Sequence, residues 1–419
     1  MTRKNPMIWL AACPVAFWVL LGVLGKPLAH GLAARFGERF LRMADGKFTN
    51  PEKFIQLRLS EFALLLTVAC ILRLAHLAAT SMVNRRLPPR AWWITRALSG
   101  FVCLNLFAAT AAQTALFWCV LFTGKGHTHN YTQFQIKRCL MREVEAPRQA
   151  VLLGSSQTRA EIDERIMNER LGKELWTTEL HFPGSHPYDL ILALEAFPSV
   201  KVDYIICYLS EGYFYNGVDS QGLRFFFGLG DFMEFHNLRG RNAMTGGSLP
   251  YGLVGDVLPL FRMGEPLAGR VLGPMMQSFG QRHYDESLSM DLMERAKLAA
   301  TGFHRNSESE FQKNAFAAFA HKCRERHCKL IVCCGQLNPI LEQALDPALR
   351  ADMLGFLRDQ AAHDPNILLL DEPDLPKQTE ADYDDLTHVN EACQARFTEY
   401  VADVMKKLLH QEQQAGKGG

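Results

Sequence analysis

The sequence predicts an α/β protein in which a parallel β-sheet follows three transmembrane helices. Three long apolar runs lie within the first 125 residues, and beyond about residue 145 short apolar segments alternate with helix-like ones. Strands that alternate with helices form βαβ units, whose parallel sheet is covered by helices on both faces. We therefore expect a membrane region, 1–125, a linker, 126–147, an α/β domain, 148–410, and a flexible tail, 411–419.

The composition excludes several classes of protein. The chain has 419 residues, a formal net charge of +1 and 48% hydrophobic residues. A disordered chain would be less apolar, and a nucleic-acid-binding protein would carry a larger positive charge. We therefore expect two or three folded units and no nucleic-acid partner.

The three apolar runs are 7–24, 62–82 and 97–123, close to or above the roughly 20 residues that a helix needs to cross a bilayer. Arg3 and Lys4 precede the first run, as they would in a cleaved secretion signal. However, this run is longer than the roughly 7–15 apolar residues of a signal core, and two further runs follow. The first run is therefore interpreted as an anchor, and the chain as a membrane protein with three spans.

The charges of the loops bear on the orientation of the spans. The loop between the second and third runs carries Arg85, Arg86, Arg90 and Arg96 without an acidic residue, which favours the cytoplasm. The loop between the first and second runs is also rich in Lys and Arg, so charge alone does not settle the orientation. We favour an N-terminus in the cytoplasm, an orientation that the family resemblance described below also supports. The chain would then be a multi-pass protein of the cytoplasmic (inner) membrane, with its α/β domain on the extracytoplasmic side.

The cysteines indicate neither a disulfide framework nor a metal site. The chain has 11 cysteines, and those outside the apolar runs show no paired CxxC spacing. Such a set disfavours an oxidising compartment, which argues against the favoured orientation. Cys323, His327 and Cys328 are of types that bind zinc, but no second half of a zinc motif accompanies them. We expect no metal and no cofactor.

Five short apolar strands are predicted in the α/β domain, with helices between them. A predicted insertion, 213–303, separates the third strand from the fourth and is too long for a simple connection. Its aromatic content fits a lid, a lipid-contacting surface or a partner interface, and equally an added helical subdomain with its own core. The predicted strands are 150–153, 176–180, 204–209, 329–334 and 367–370, and the predicted helices are 161–171, 188–196, 310–326, 347–362 and 389–409.

Two short motifs follow the first and the last of these strands. Gly154-Ser155-Ser156 comes directly after the first strand, and Asp385 and His388 lie on a loop after the last one. Active sites of parallel sheets lie beyond the carboxyl ends of the strands, so both motifs should lie at the same edge. A serine hydroxyl becomes a useful nucleophile when a neighbouring base takes its proton, and a carboxylate can orient that base. His388 would be the base and Asp385 the orienting residue, and the N–H of Ser156 at a helix start would suit a developing oxyanion.

Each motif also has a purely structural interpretation. Gly-Ser-Ser is a common strand-to-helix cap, and Asp385 could cap the helix that follows it. Asp382 and Asp384 are alternatives to Asp385 as the orienting carboxylate. Arg159 could reach the site or lie on the helix surface. Tyr213, Phe214 and Tyr215 fit either a sugar-stacking floor or buried aromatic packing.

These motifs, taken in order, resemble the SGNH (GDSL-like) serine hydrolase superfamily. The matching features are Gly-Ser-Ser after the first strand, Gly184 after the second, and Asp-x-x-His-x-Asn before a C-terminal helix. A membrane-anchored chain with Gly-Ser-Ser is similar, more narrowly, to extracytoplasmic accessory proteins of bacterial surface-polymer acylation, such as alginate acetylation and teichoic-acid D-alanylation. The resemblance covers about 148–410 and implies a three-layer, flavodoxin-like parallel sheet. It implies Ser156 rather than Ser155 as the nucleophile, Gly184 as an oxyanion donor, and Asp385 and His388 as the rest of the triad.

The sequence departs from the superfamily after the third strand. The superfamily usually has a Gly-x-Asn-Asp block there, whose Asn side chain completes the oxyanion hole. This chain has Tyr208-Leu209-Ser210-Glu211-Gly212-Tyr213 instead, and Asn216 is the nearest amide. Loss of one oxyanion donor typically costs a factor of roughly 10²–10³ in turnover, which would weaken an enzyme without abolishing it. The acylation branch also lacks a clean block at this point, so the departure favours that branch.

The resemblance implies a serine acyltransferase or esterase that acts on a cell-surface glycan or lipid-linked substrate through a serine acyl-enzyme. Nothing in the sequence resembles a binding site for coenzyme A or a nucleotide. For a transferase we therefore expect the acyl donor to arrive through a multispanning membrane acyltransferase. A non-catalytic scaffold or glycan-binding component of a cell-envelope assembly complex is the alternative, together with a plain esterase or lipase whose insertion is a lid.

Overall fold

The computed structural model divides the chain into two compact units. The first comprises Met1–Leu140 and Val254–Met275, and the second comprises Met141–Leu253 and Met276–Gly419. The structure describes residues 6–43, 50–84, 88–121, 127–196, 201–216, 231, 234, 237–238, 254–255, 257–263 and 290–417.

The described residues of the first unit are mostly helical, and three of their helices are long and apolar enough to cross a membrane. The segments with this property are Leu10–Glu38, Pro51–Val83 and Pro89–Ala111. Few of their residues are buried, 11% in the first segment and 17% in each of the other two. The helices of this unit are α1 (Pro6–Met43), α2 (Pro51–Asn84), α3 (Pro89–Ala111), α4 (Ala115–Leu121) and α5 (His127–Met141).

The third predicted span, 97–123, is not one continuous helix, because α3 ends within it at Ala111 and the chain turns into the short helix α4. The carboxylate of Glu61, on α2, accepts hydrogen bonds from the N–H groups of Ala115 at 3.1 Å and Leu116 at 2.7 Å. Glu61 is also paired with the buried Arg58 at 3.0 Å. An acidic side chain at the first N–H groups of a helix stabilises its start. Glu61 lies on another helix, so the apolar pattern of 97–123 could not predict the start of α4.

Part of the predicted insertion, 213–303, belongs to the first unit. The helical segment Pro259–Arg262 packs on α3, and the N–H of Leu260 lies 3.4 Å from Oδ1 of Asn105. Most of the insertion lies outside the described residues, and so does the choice between a lid and a separate subdomain. At its start Tyr213, Phe214 and Tyr215 are buried, which confirms aromatic packing at these positions.

The second unit contains the predicted parallel sheet. All five predicted strands are present, each within about two residues of its expected bounds, and all of them pair in parallel in the order β2-β1-β3-β4-β5. The strand order reverses beside β1, and such a switch point is where parallel sheets bind ligands. The strands are β1 (Gln149–Gly154), β2 (Trp176–His181), β3 (Tyr204–Leu209), β4 (Lys329–Cys334) and β5 (Ile367–Leu370).

Helices follow the strands as the alternating pattern predicts. The predicted helix 161–171 begins later, at Glu164, because Asp163 caps it by accepting hydrogen bonds from the N–H groups of Arg165 and Ile166. The helices are α6 (Ser156–Glu161), α7 (Glu164–Leu171), α8 (Pro187–Glu195), α9 (Glu211–Tyr215), α10 (Leu292–Ala300), α11 (Ser307–Glu325), α12 (Pro339–Ala344), α13 (Pro347–His363) and α14 (Glu391–Lys417).

The last helix, α14, covers the two helices that follow β1. Phe397, Val401, Met405 and Leu409 recur at helical spacing and are buried, and α14 packs on α6 and α7. This packing brings the loop that precedes α14 to the helix that begins at Ser156.

Candidate active site

The serine turn follows β1 directly. Ser155 is the N-cap residue of α6, and its Oγ accepts a hydrogen bond from the N–H of Gln157 at 3.2 Å. Ser156 is the first helical residue, so its own N–H has no acceptor within the helix. The two serines therefore differ in role. The hydroxyl of Ser155 stabilises the helix start, whereas the hydroxyl of Ser156 makes a contact outside the turn.

That contact is with His388. Nε2 of His388 lies 2.9 Å from Oγ of Ser156, and Nδ1 lies 2.8 Å from Oδ2 of Asp385. An ionised carboxylate can only accept a hydrogen bond, so the proton of a neutral imidazole is favoured on Nδ1. Nε2 is then free to accept the proton of the serine hydroxyl. The structure thus brings together the three residues of the predicted triad in the order nucleophile, base and orienting carboxylate.

Asp385 lies at the head of a tight turn. Its Oδ1 accepts hydrogen bonds from the N–H groups of Thr387 at 2.7 Å and His388 at 2.8 Å. Partial burial acts to raise the pKa of Asp385, but the hydrogen bonds from the His388 ring and from these two backbone groups outweigh it and hold the pKa well below its usual value. The carboxylate therefore stays ionised at neutral pH, where it would stabilise an imidazolium.

The loop that carries Asp385 is fixed from the side of β4. Asn338 is buried, and its Nδ2 donates a hydrogen bond to the carbonyl oxygen of Asp385 at 3.1 Å. Its Oδ1 caps α12 by accepting the N–H of Ile340 at 2.9 Å. Leu386 joins a hydrophobic cluster with Leu337. Neither Asn338 nor this cluster was singled out in the sequence, because both act only through contacts between distant segments.

The two alternative carboxylates are placed differently. Asp382 accepts hydrogen bonds from the N–H of Thr379 at 2.7 Å and from Arg396 at 3.0 Å. Asp384 is exposed, and its N–H donates to the carbonyl oxygen of His388 at 2.9 Å. Asp385 is therefore the carboxylate that contacts the His388 ring.

Gly184 lies in a turn after β2. Its φ of +70° falls in the left-handed region, which favours glycine, and a Cβ built on it would meet nothing within 4 Å. The register pairs Gly154 with His181, so this turn follows β2 at the level where the serine turn follows β1. The N–H groups of Ser156 and Gly184 thus belong to neighbouring turns at one edge of the sheet.

The amide of Asn216 is not brought to this edge by any described contact. Asn216 is exposed at the end of α9, and a Cβ on Gly302 would lie 3.2 Å from its Oδ1. Within the described part of the chain it makes no hydrogen bond to Ser156, Gly184 or His388. A role for Asn216 as an oxyanion donor therefore has no support from this geometry.

Glu161 is a buried carboxyl group at the end of α6 that the sequence did not single out. Its Oε2 accepts a hydrogen bond from Nε2 of Gln378 at 2.8 Å. Burial raises the pKa of Glu161 to about 7, against the lowering effects of hydrogen bonds from Tyr208 and Gln378 and of the charge of His388. Ionisable groups with shifted pKa values are common in functional sites, and the effect of His388 on the pKa of Glu161 shows that this carboxyl group interacts with the candidate site. The one feature of the sequence that could have indicated Glu161 as a site residue is its position in the same short helix as Ser156.

Arg159 lies one helical turn after Ser156 and is more than half exposed. Its Nε is 3.9 Å from Oε1 of Glu179, whose carboxylate also contacts Nδ1 of His181. Both interpretations of Arg159 made from the sequence remain predictions, since these contacts fit a residue at the rim of the site and a residue on the helix surface.

Among the described residues there is no group of three or more His, Cys, Asp or Glu side chains that could hold a metal ion. Cys323 and Cys328 are buried without a disulfide partner, and burial raises the pKa of each thiol.

Searches with protein-family models, among curated proteins and among solved structures found no match to this chain.

Proposed function

We propose that this chain is a membrane-anchored serine acyltransferase or esterase of the SGNH type. The observation that carries the proposal is the position of His388, whose ring joins Oγ of Ser156 at 2.9 Å to Oδ2 of Asp385 at 2.8 Å. A serine with only a structural role at a helix start would not need a histidine oriented by an ionised carboxylate.

The proposed chemistry proceeds in two halves. In the first half, His388 takes the proton of Ser156 while Oγ attacks the carbonyl carbon of an ester, and the oxyanion accepts hydrogen bonds from the N–H groups of Ser156 and Gly184. His388 then protonates the leaving alcohol, which departs and leaves an acyl-Ser156 ester. In the second half, water or an acceptor hydroxyl gives its proton to His388 and its oxygen attacks the acyl carbon. The bond to Oγ then breaks as His388 returns a proton to Ser156, so the acyl group leaves on the attacking oxygen and the serine hydroxyl is restored. Water makes the reaction a hydrolysis, and an acceptor hydroxyl makes it a transfer.

Assignment to the SGNH superfamily is supported by features that its motifs share with this chain. The strand order 2-1-3-4-5 is that of flavodoxin-like sheets. Ser156 follows β1, Gly184 follows β2, and Asp385 and His388 precede the last helix, in the order of the motif blocks. The absence of a described third-block amide donor agrees with the branch that acylates surface polymers.

A cell-surface glycan or a lipid-linked molecule is the proposed substrate. The support is architectural, since the three helices of the first unit are long and apolar enough to cross a membrane. We propose that the second unit lies on the extracytoplasmic side and that, in a transfer reaction, a multispanning membrane acyltransferase supplies the acyl group.

The test uses the full chain purified in detergent. Ser156→Ala should abolish hydrolysis of a chromogenic acetyl ester and labelling by a fluorophosphonate, because both need the Ser156 oxygen. Ser307→Ala, at an exposed serine that begins α11, is the matched control and should leave both unchanged. Unchanged ester turnover in Ser156→Ala would remove the assignment.

A second candidate is a non-catalytic scaffold or glycan-binding component of a cell-envelope assembly complex. The observation that favours it is the position of Asn216, which leaves the third oxyanion donor unassigned. Folded wild-type protein that resists a fluorophosphonate would support the scaffold over the enzyme, whether transferase, esterase or lipase.

A further inference from the structure

We propose that Tyr213 is a positioning residue that holds the turns of both oxyanion donors, an inference that rests on the proposed function. Tyr213 lies in α9, the short helix that directly follows β3, and is 1% exposed. It thus stands in the segment where the sequence lacks an amide donor. Its hydroxyl reaches the serine turn, and its carbonyl oxygen reaches the segment that follows Gly184.

The hydroxyl of Tyr213 binds the backbone of the serine turn. Oη accepts a hydrogen bond from the N–H of Ser155 at 2.5 Å and lies 3.2 Å from Oγ1 of Thr158. Oγ1 of Thr158 in turn lies 3.3 Å from the carbonyl oxygen of Tyr208, which can only accept. One chain of donors satisfies all three contacts, running from Ser155 to Tyr213, from Tyr213 to Thr158, and from Thr158 to β3.

The fit around this hydroxyl explains the glycine before the serines. A Cβ built on Gly154 would lie 2.8 Å from Oη of Tyr213 and 2.0 Å from Oγ1 of Thr158. The side chain of Thr158, and beside it the hydroxyl of Tyr213, therefore occupy the space that any other residue at position 154 would need. Contact this close, with little room for adjustment, fixes the backbone from which Ser156 projects.

The second contact of Tyr213 is with the turn that contains Gly184. Its carbonyl oxygen lies 3.1 Å from Nδ1 of His186, which is buried. The same turn is tied to β1, because the N–H of Phe182 donates to the carbonyl oxygen of Gly154 at 2.8 Å. Tyr213 thus contacts the serine turn through its hydroxyl and the segment after Gly184 through its carbonyl oxygen. The two turns are also linked to each other by the hydrogen bond from Phe182 to Gly154.

The consequence for catalysis is preorganisation. Oxyanion donors lower a barrier only if they already point at the position where the charge develops, and a misplacement of about 1 Å can cost roughly 100-fold in rate. A buried tyrosine that cannot move without breaking these contacts would hold Ser156 and Gly184 in place. Tyr213 itself does not touch the reacting atoms in this account.

The experiment compares two tyrosines of the same short helix. Tyr213→Phe and Tyr215→Phe each remove one buried hydroxyl, and the hydroxyl of Tyr215 donates to Oδ2 of Asp352 at 2.7 Å, away from the serine turn. We expect Tyr213→Phe to lower kcat for a chromogenic ester, and the rate of fluorophosphonate labelling, by at least about tenfold with KM little changed. Both variants should lower the thermal unfolding temperature by similar amounts. Tyr215→Phe, however, should leave kcat and the labelling rate at wild-type values.

Thr158→Val supplies a second measure of the same contact, since it removes the hydroxyl that Oη of Tyr213 approaches while keeping the side-chain shape. It should also lower the labelling rate. Wild-type kcat and labelling rates in both Tyr213→Phe and Thr158→Val would overturn the inference and leave the proposed function intact. Absence of labelling in the wild-type protein would remove the proposed function, and the inference with it.

Discussion

Nε2 of His388 lies 2.9 Å from Oγ of Ser156, although 232 residues separate them in the sequence. The contact arises because α14 packs on α6, which brings the loop before one helix to the start of the other. Neither segment folds into a site by itself.

Replacement of the orienting carboxylate should damage catalysis more than stability. Asp385→Asn would present an amide to Nδ1 of His388 and favour the tautomer whose Nε2 cannot accept the serine proton. We expect kcat for a chromogenic ester to fall by about 10³- to 10⁴-fold. Asp384→Asn, at the exposed neighbour, should change kcat less than about twofold. A comparable loss in both variants would contradict the assignment of Asp385.

The buried carboxyl of Glu161 should make stability depend on pH. Below about pH 4.5 the carboxyl is protonated in both the folded and unfolded chains, so it costs nothing. Between that pH and about 7 the unfolded chain loses the proton that the folded protein keeps, so the folded state is progressively disfavoured. Glu161→Gln removes this effect, and its unfolding free energy relative to the wild type should rise by about 3 kcal/mol between pH 4.5 and 8.

Denaturant unfolding at the two pH values measures the difference. The exposed Glu169→Gln is the matched control on α7 and should show no comparable change with pH. If the unfolding free energies of Glu161→Gln and the wild type change equally between the two pH values, the pKa of Glu161 in the folded protein is not raised.

Two glycines should respond in opposite ways to replacement by alanine. Gly154→Ala places a Cβ 2.0 Å from Oγ1 of Thr158 and should destabilise the protein by about 1–3 kcal/mol. Gly355→Ala, in α13, meets no atom within 4 Å and should stabilise the helix by up to about 1 kcal/mol. Thermal unfolding of the two variants gives both values. Equal effects would mean that the serine turn has more room than the structure indicates.

The pair of Arg58 and Glu61 should be important for the first unit. Glu61→Ala would leave the charge of Arg58 buried without its carboxylate and remove the cap of α4, with an expected loss of about 3–5 kcal/mol. Glu52→Ala, also on α2, breaks an exposed contact with His30 of α1 and should cost less than about 1 kcal/mol. Thermal unfolding in detergent compares them, and similar losses would contradict a buried pair.

Much of the fold could be predicted because its signals are local. Short apolar runs such as 204–209 are buried strands, and the repeat of Phe397, Val401 and Met405 marks a helix face. The division of the third apolar run at α4 could not be predicted, since the cause is Glu61 on a different helix. Glu161 was missed for a similar reason, because its burial results from packing against β3 and α14.

The sequence by itself determined the alternation of strands and helices, the three apolar helices and the presence of a serine, a histidine and a carboxylate beyond strand ends. These features depend on neighbours within a few residues, where hydrophobic periodicity and capping act. The tertiary structure decided which groups meet: Ser156 rather than Ser155 contacts His388, Asp385 rather than Asp382 or Asp384 contacts the ring, and Tyr213 rather than Asn216 reaches the serine turn. Such contacts depend on strand order and helix packing over long sequence separations, and a local pattern carries no record of them.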